Sequence, residues 1–254
     1  TKAWVRFRYP RWMYDGPAIC GVPVEASRGF LRGWYAQNGV SLENPRLGFV
    51  CVSEDMTGQF GLCGYFRDHD LSEDERLQFA PGEAPPPYDP AQQPAPPAGE
   101  WSAARLAKAN RNYAVEYIRN GVRELVNVLG PDRALELAKL AARLTGLQQY
   151  RHMAEAVGGV DGGPVEAAHM LAAMFGGMGD DVALATESGA GRAVLHHRGL
   201  RIVRGLDGDA RSHLLACWTE LWRGAVQSCR QFMDVTVVET ADGLDWTITP
   251  REVA

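Results

Sequence analysis

His213, Cys217 and Glu220 bring acid–base and nucleophilic side chains to one late segment of the chain. Their spacing of i, i+4 and i+7 would place all three on one narrow face of a helix. There the thiol can act as a nucleophile, with the imidazole as its base and the carboxylate orienting the imidazole. Alternatively, all three side chains can bind a zinc-like ion. Gly224 continues this face, and we expect open space beside it. A half-buried helix edge with a small buried cysteine fits the same spacing, so both interpretations stay open.

A second group with the same side-chain types lies earlier in the chain. Cys63 supplies a thiol, and His69 stands between Asp68 and Asp70. Neighbouring carboxylates favour the protonated imidazole, which suits a general acid or a hard-metal site. Here Cys63 is the alternative nucleophile, His69 the alternative base and Asp68 the alternative orienting carboxylate. A solvated charged loop is the competing interpretation, because further acidic residues follow directly.

Glu166 and His169 form a Glu-x-x-His pair on a predicted helix, which is half of the motif of di-iron carboxylate bundles. The complete motif needs a second copy, which the sequence does not contain. His213 would add a third ligand to this pair, and His152 could join His169 if their helices are antiparallel neighbours. A divalent metal is therefore one option for a cofactor, and an ordinary solvated helix face is the other.

Tyr113, Tyr117 and Tyr150, together with His152, put polar-tipped side chains on the predicted inner helices. Such side chains line apolar pockets that hold one small ligand through a few polar contacts. Tyr113 and Tyr117 are the candidates for contact with a substrate. Core packing, with the hydroxyl groups at the boundary of the core, is the alternative.

Residues 81–99 separate two parts of the chain. This stretch holds eight of the fifteen prolines and has neither a helical nor a strand period. Proline fixes φ and removes a hydrogen-bond donor, which predicts an extended, polyproline-like segment. We therefore predict an irregular N-terminal α+β module over 1–80, a linker over 81–99 and a C-terminal α+β domain over 100–254. An arm that docks on its own core or on a second subunit is the alternative to a simple linker.

The C-terminal part changes from a helical period to a strand period. Ser102 is an N-cap candidate for a long helix that Gly130 ends, and Pro131 opens the next helix. Later elements are predicted as strands over 182–187, 192–197 and 200–204, a helix over 210–231 capped by Asp209, and a hairpin of 235–238 with 244–248 around Asp242-Gly243. Helices first, and then strands with one packed helix, predict an α+β fold in which a helical layer packs on a small antiparallel sheet.

The N-terminal module is predicted to be compact and irregular. Apolar spacing predicts a helix over 24–38, followed by strands over 47–52 and 60–66 that are joined by a turn at Thr57-Gly58. At the very start of the sequence, arginines alternate with aromatic residues, a pattern that can bind single-stranded nucleic acid. In a short patch of an acidic protein, this alternation favours instead a strand with Trp4 packed inward.

Composition restricts the classes of protein that remain. With 254 residues, of which 46% are hydrophobic, the chain can bury a substantial core. A formal charge of −5 gives no general attraction to nucleic acid or anionic lipid, and no apolar run approaches the roughly 18 residues of a membrane span. Five widely spaced cysteines without a CxxC pair indicate reduced thiols. Residues 1–8 lack the apolar run and cleavage site of a secretory signal, so we expect a cytoplasmic protein. The fingerprints of dinucleotide-binding folds, P-loops, zincins and α/β-hydrolases are absent.

From Leu106 to Ile248, the order of the elements resembles the family of L-2-amino-thiazoline-4-carboxylic acid hydrolases. The resemblance rests on the helix start LGPDRAL at 129–135 and the break LTG at 144–146, followed by a strand pair, a long helix and a closing hairpin. It implies cleavage of a carbon–nitrogen bond in a small cyclic amidine, with a thiol or a metal taking part.

Two hypotheses of different class follow. In the first, the chain is a cytoplasmic small-molecule hydrolase or lyase that acts on a C–N bond of a small cyclic substrate. Its pocket lies between the helices and the sheet, and the N-terminal module and the proline-rich arm close it. In the second, a non-catalytic small-ligand-binding or assembly module of the vinyl-reductase-like kind uses the same pocket without a reactive thiol. Under both hypotheses the partner is a small molecule, and we expect no binding to nucleic acid or to a membrane. The apolar helices also favour a homodimer.

Overall fold

A computed structural model describes residues 2–7, 24–54, 61–68, 76–95, 99, 101–159, 162–186, 191–229 and 232–251 of the chain. The chain divides into two compact units, Thr1–Pro96 and Pro97–Ala254. Both units combine helices with a small sheet, so the α+β class that the sequence predicts is confirmed. The division falls inside the proline-rich range 81–99. Within the described ranges, every helix lacks the combination of length and apolarity that crossing a membrane requires.

The first unit contains a four-stranded sheet in its described residues. The strands are β1 (Ala3–Arg6), β2 (Leu47–Ser53), β3 (Cys63–Asp68) and β4 (Leu77–Phe79), in the spatial order β1-β3-β2-β4. β3 pairs antiparallel with β1 and β2, and β4 pairs with β2 in parallel. β1 is the strand expected around Trp4, whereas the three residues of β4 are too few to give a period in the sequence. The turn predicted at Thr57-Gly58 lies outside the described residues.

The helix predicted over 24–38 is interrupted in the structure. α1 (Val24–Leu31) passes into a π-helical turn, Arg32–Ala36, which the short α2 (Asn38–Ser41) follows. A π-helical turn is wider than an α-helical one and changes the direction in which the following side chains point. Tyr35 in this turn stacks on Phe49 of β2 with the ring centroids 4.5 Å apart. The interruption therefore accompanies the docking of an aromatic ring on the core of the first unit.

The second unit combines helices with an all-antiparallel sheet of four strands in the described residues. The helices are α3 (Ala103–Leu129), α4 (Pro131–Ala156), α5 (Pro164–Met178) and α6 (Gly208–Gln227). The strands are β5 (Asp181–Thr186), β6 (Ala193–Arg198), β7 (Met233–Glu239) and β8 (Gly243–Pro250), in the spatial order β5-β6-β8-β7.

The helix ends follow the signals in the sequence closely. Ser102 Oγ accepts a hydrogen bond from the Arg105 amide at 3.2 Å and so caps α3, as predicted. Gly130 takes a φ of 75° between α3 and α4, and Pro131 occupies the first turn of α4. Helix α6 begins two residues earlier than predicted, after Asp207 rather than Asp209, and ends at Gln227 instead of residue 231.

The strand predicted over 200–204 is wrong. Arg201–Val203 form a 3-10 turn between Gly199 and Gly205, whose φ values are 66° and 74°. Positive φ is readily adopted by glycine, and it bends the chain at both ends of the segment. The Arg201 amide donates to Asp180 Oδ1 over 2.9 Å and fixes the turn. The branched apolar residues that suggested a strand are buried in the core from this turn.

An aromatic cluster joins the sheet of the second unit to α5 and α6. Side chains of β6 alternate, so that Leu195 and His197 are completely buried while their neighbours face outward. The ring of Phe175 on α5 lies 5.0 Å from that of Trp222 on α6 and 5.4 Å from that of Trp246 on β8. Burial of these large side chains makes a large apolar contribution to the stability of this unit.

Helices α4 and α6 lie side by side with their backbones in direct contact. A Cβ atom added at Gly146 of α4 would lie 1.9 Å from the Leu221 carbonyl oxygen of α6. One added at Gly224 of α6 would lie 2.1 Å from the Arg143 carbonyl oxygen of α4. Because both obstacles are backbone atoms, no rearrangement of a side chain can make room. The two glycines are therefore required at these positions by packing.

The α4–α6 contact is continued by other small residues. Along one row of α4, at intervals of four, stand Ala134, Ala138, Ala142 and Gly146. The two helices run parallel: Arg143 of α4 pairs with Glu220 of α6, and further toward the C-terminal end of both helices the Leu147 carbonyl accepts a hydrogen bond from the Ser228 hydroxyl. The row of small residues thus faces α6 along the first half of α4.

Replacing Gly146 or Gly224 with alanine should lower the free energy of unfolding by about 1–3 kcal/mol, because the new methyl group meets a carbonyl oxygen. The matched control is Gly176→Ala in α5, where an added Cβ meets nothing within 4 Å. That change should raise the stability by about 0.5–1 kcal/mol through helix propensity. Urea unfolding monitored by circular dichroism measures all three, and equal effects at Gly146 and Gly176 would contradict the packing described here.

Candidate functional site

The predicted stripe on α6 faces the neighbouring helix rather than a cavity. Cys217 is 3% exposed, and burial raises the pKa of its thiol, so the thiolate is disfavoured. Glu220 accepts hydrogen bonds from Arg143 at 3.2 Å and from Arg223 at 2.7 Å, which holds its carboxylate in two ion pairs. The open space expected beside Gly224 is filled by the backbone of α4. Cys217, Glu220 and Gly224 therefore belong to the α4–α6 contact, and His213 lies one turn before it.

The structure does not bring the earlier group together in its described part. Cys63 at the start of β3 is 1% exposed, and burial raises the pKa of its thiol. Asp68 stands at the other end of the same strand and is exposed. Five residues of strand separate the two by about 16 Å and place them on opposite faces. His69 lies outside the described residues.

Three of the four proposed metal ligands are exposed to solvent, and the fourth, His213, is half-buried on α6. Glu166 and His169 lie on the exposed side of α5, and His152 is exposed near the end of α4. Among the residues that the structure describes, no three His, Cys, Asp or Glu side chains are close enough to share a metal ion. Glu166 and His169 thus have no further ligand beside them in this part of the chain.

The tyrosines occupy different environments. Tyr113 and Tyr117 lie next to each other on α3, with ring centroids 6.0 Å apart, and are 51% and 38% exposed. Tyr150 on α4 is half-buried against the core, where its hydroxyl forms a hydrogen bond with the Cys229 thiol. Burial raises the pKa of the Cys229 thiol, and the bond from Tyr150 partly opposes this effect.

A groove of about 400 Å3 lies between the second half of α3 and the first turns of α6. It is lined by both apolar and polar side chains, namely those of Glu116, Arg119, Asn120, Val122, Arg123, Val126, Asn127, Pro131, Leu206, Asp209, Ala210, His213 and Leu214. His213 is half-buried here. Of the residues predicted to carry chemistry, His213 is the one that lines this groove.

The lining of the groove offers charges of both signs. Arg119 and Glu116 approach each other to 3.5 Å, and the Arg119 side chain is mostly buried, at 19% exposure. Asp209 and His213 stand four residues apart on α6 and therefore on the same side of the helix. The N-cap residue Asp207 forms no side-chain hydrogen bond to the first turn of α6, so amide donors of that turn are left to other acceptors.

The side-chain types in the groove suit non-covalent binding. Its described lining contains no cysteine, serine, threonine, lysine or tyrosine, so its nucleophilic side chains are the carboxylates of Glu116 and Asp209 and the imidazole of His213. The same three side chains, His213, Asp209 and Glu116, can also transfer protons. Sequence reasoning missed the α3 side of the groove, although Glu116, Asn120, Arg123 and Asn127 recur at helical spacing as a polar row. That row is the signal that could have found it.

A buried histidine–aspartate pair was also missed. His197 Nε2 lies 2.8 Å from Asp180 Oδ2, and both side chains are fully buried. The imidazole stacks on Phe175 with centroids 4.0 Å apart. Asp180 also accepts the Arg201 amide, so this carboxylate connects the end of α5, β6 and the 3-10 turn. Its position in the core indicates a structural role.

A polar cluster lies on the outer face of the same sheet. His196 of β6 is directly opposite Asp245 of β8, and His196 Nδ1 lies 2.9 Å from Asp245 Oδ1. Arg198 reaches Asp245 at 2.8 Å and Asp242 at 2.9 Å. The hydrogen bond with His196, followed by the one with Arg198, lowers the pKa of Asp245. Cross-strand ion pairs of this kind stabilise a sheet.

Comparison of the chain with protein-family models, with curated proteins and with solved structures finds no match. The resemblance to L-2-amino-thiazoline-4-carboxylic acid hydrolases stays a prediction. The geometry of the groove therefore carries the functional argument.

The cysteines should be unreactive in the folded protein. A Cys20→Ser variant retains Cys51, Cys63, Cys217 and Cys229, all of which are buried. Since burial raises the pKa of three of these thiols, we expect slow reaction with a thiol reagent at neutral pH and complete reaction of all four after unfolding. Rapid labelling of Cys217 or Cys63 in the native state would restore the thiol-nucleophile hypothesis.

The Asp245 cluster should stabilise the protein in a pH-dependent way. Because the folded-state pKa of Asp245 is below its unfolded value of about 3.9, its contribution is present above that value and lost as the pH falls through the folded pKa. The difference in unfolding free energy between the native chain and Asp245→Asn should therefore be larger at about pH 5 than at about pH 3. Urea titrations at a series of pH values test this, and a difference independent of pH would refute it.

Proposed function

We propose that the second unit binds a small molecule in the groove between α3 and the start of α6. The observation that carries this proposal is a cleft of about 400 Å3 whose described lining combines apolar and polar side chains and contains no thiol. Ligand sites of about 300–1,000 Å3 combine mainly apolar walls with a few orienting polar groups. This favours the ligand-binding hypothesis over a hydrolase or lyase that uses a cysteine nucleophile.

The groove suits a compact molecule with an apolar body and polar groups at its edge. Val122 and Leu214 offer apolar contact, while Arg123 and Asp209 offer charges of opposite sign. A small cyclic amidine, the substrate class that the resemblance implies, would place its cationic group at a carboxylate such as Asp209. Its other polar groups would accept from arginine and asparagine side chains.

Hydrolysis within the same groove is the second candidate, favoured by the presence of His213 close to Asp209. His213 would take a proton from water as the water oxygen forms a bond to the amidine carbon. The carbon–nitrogen bond then breaks, and the proton passes to the leaving nitrogen. This version of the hydrolase hypothesis places the chemistry on His213, and Cys217 has no part in it.

Blocking the groove tests the binding site. Ala210 lines it, and in Ala210→Phe the ring would occupy the space of a ligand. The matched control is Ala173→Phe on the exposed side of α5. We would screen small cyclic amidines, cyclic carboxylates and neutral cyclic molecules by saturation-transfer NMR. Compounds that bind the native chain should lose at least about tenfold in affinity with Ala210→Phe and keep it with Ala173→Phe.

Equal binding to the native chain and to Ala210→Phe would place the ligand elsewhere and refute the groove as the site. For compounds that do bind, His213→Asn separates the two candidates. If the groove only binds the compound, His213→Asn should lose at most the affinity that one hydrogen bond provides, and neither protein should convert the compound. A hydrolase converts the compound in the native chain and loses that turnover in His213→Asn while the ligand still binds.

A further inference from the structure

Helix α3 exposes an apolar surface along its whole length. All of α3 is described, and Val115 is its one buried residue. Its large apolar side chains that are more than a third exposed are Leu106, Tyr113, Tyr117, Ile118, Leu125, Val128 and Leu129. Single exposed apolar residues are normal on a protein surface, but seven large ones on one helix indicate an interaction site.

Helix α4 carries a second exposed apolar stripe that is more regular. Leu137, Leu140, Leu144 and Leu147 are 37%, 56%, 54% and 40% exposed. They lie on the side of the helix opposite the small residues that face α6, since Gly146 and Leu137 are half a turn apart around the axis. The close contact with α6 therefore turns these four leucines away from the core.

The spacing of this leucine stripe is that of a coiled-coil seam and is the same in both directions. Steps of three, four and three residues alternate as the a and d positions of a heptad do. A two-fold axis at residue 142 would exchange Leu137 with Leu147 and Leu140 with Leu144. A two-fold dimer needs such a self-complementary surface. Arg133 and Arg151 end the stripe, and each pairs with a glutamate of its own helix, Glu136 or Glu155.

We propose that the leucine stripe of α4 packs antiparallel against the same stripe of a second copy of this chain. In this arrangement, Leu137 of one protomer lies on Leu147 of the other, and Leu140 lies on Leu144. The apolar surface of α3 extends the contact on each protomer. The proposal concerns a surface apart from the groove and does not depend on the ligand.

The exposed apolar surface is large enough for a dimer. The eleven side chains on α3 and α4 are 37% to 78% exposed, and their exposed fractions together equal those of about five fully exposed side chains. At about 100 Å2 for a large apolar side chain, this is about 500 Å2 per protomer. A partner that covers both helices would bury about 1,000 Å2 of apolar surface in total, which is the size at which specific interfaces begin.

Sedimentation equilibrium of the full chain tests the dimer. We expect twice the monomer mass for the native protein and the monomer mass for Leu140→Glu combined with Leu144→Glu. Because both leucines are more than half exposed, the double variant should keep the native circular dichroism spectrum. The control combines Phe232→Glu and Val238→Glu, which charge two side chains that are 65% and 56% exposed outside α3 and α4. This control should remain dimeric.

Cysteine cross-linking tests the antiparallel register. Leu137→Cys combined with Leu147→Cys should give a disulfide between chains, identified by peptide mass spectrometry. Leu137→Cys alone should not, because the two copies of residue 137 would be ten residues, about 15 Å, apart along the axis. A monomeric native chain, a dimer that survives Leu140→Glu with Leu144→Glu, or efficient cross-linking by Leu137→Cys alone would each overturn the proposal.

Discussion

The contact between the backbones of α4 and α6 determines how the rest of the second unit is arranged. At Gly146 and Gly224, a carbonyl oxygen of the other helix occupies the place of a side chain. Two helices that approach so closely can present only small residues to each other, which is why the contacting row of α4 consists of alanine and glycine. The large residues of α4 must then lie elsewhere, and four leucines are left on the outer side of the helix.

The same contact decides which residues remain available for chemistry. Cys217 and Glu220 both lie in this contact. Burial there raises the pKa of the Cys217 thiol, and two arginines bind the Glu220 carboxylate. His213 lies beyond the contact, where α6 meets α3 instead of α4, and here a groove remains open. One helix thus serves packing along most of its length and lines a candidate binding site at its start.

Local signals in the sequence predicted much of this fold, and their limits are physical. Ser102, Gly130 and Pro131 mark the ends of α3 and α4 because capping and proline geometry act within a few residues. The Asp242-Gly243 hairpin was predicted for the same reason. The apolar run at 200–204 was wrongly predicted as a strand, because a run of buried apolar residues occurs both in strands and in buried 3-10 turns. Helical spacing placed Cys217 and Glu220 on one face, but spacing does not reveal which element covers that face. The groove needed α3 and α6 to be brought together across some 90 residues of sequence, which no local pattern encodes.

Hydrogen exchange measured by mass spectrometry tests the α4–α6 contact most directly. A helix of 26 residues held only by its own hydrogen bonds opens readily in water, whereas one docked through its backbone opens with the domain. Amides of 138–150 in α4 and of 214–227 in α6 should exchange as slowly as those of β6 and β8. Exchange of the α4 amides many times faster than that of the sheet would contradict it, since the small-residue row would then not be held against α6.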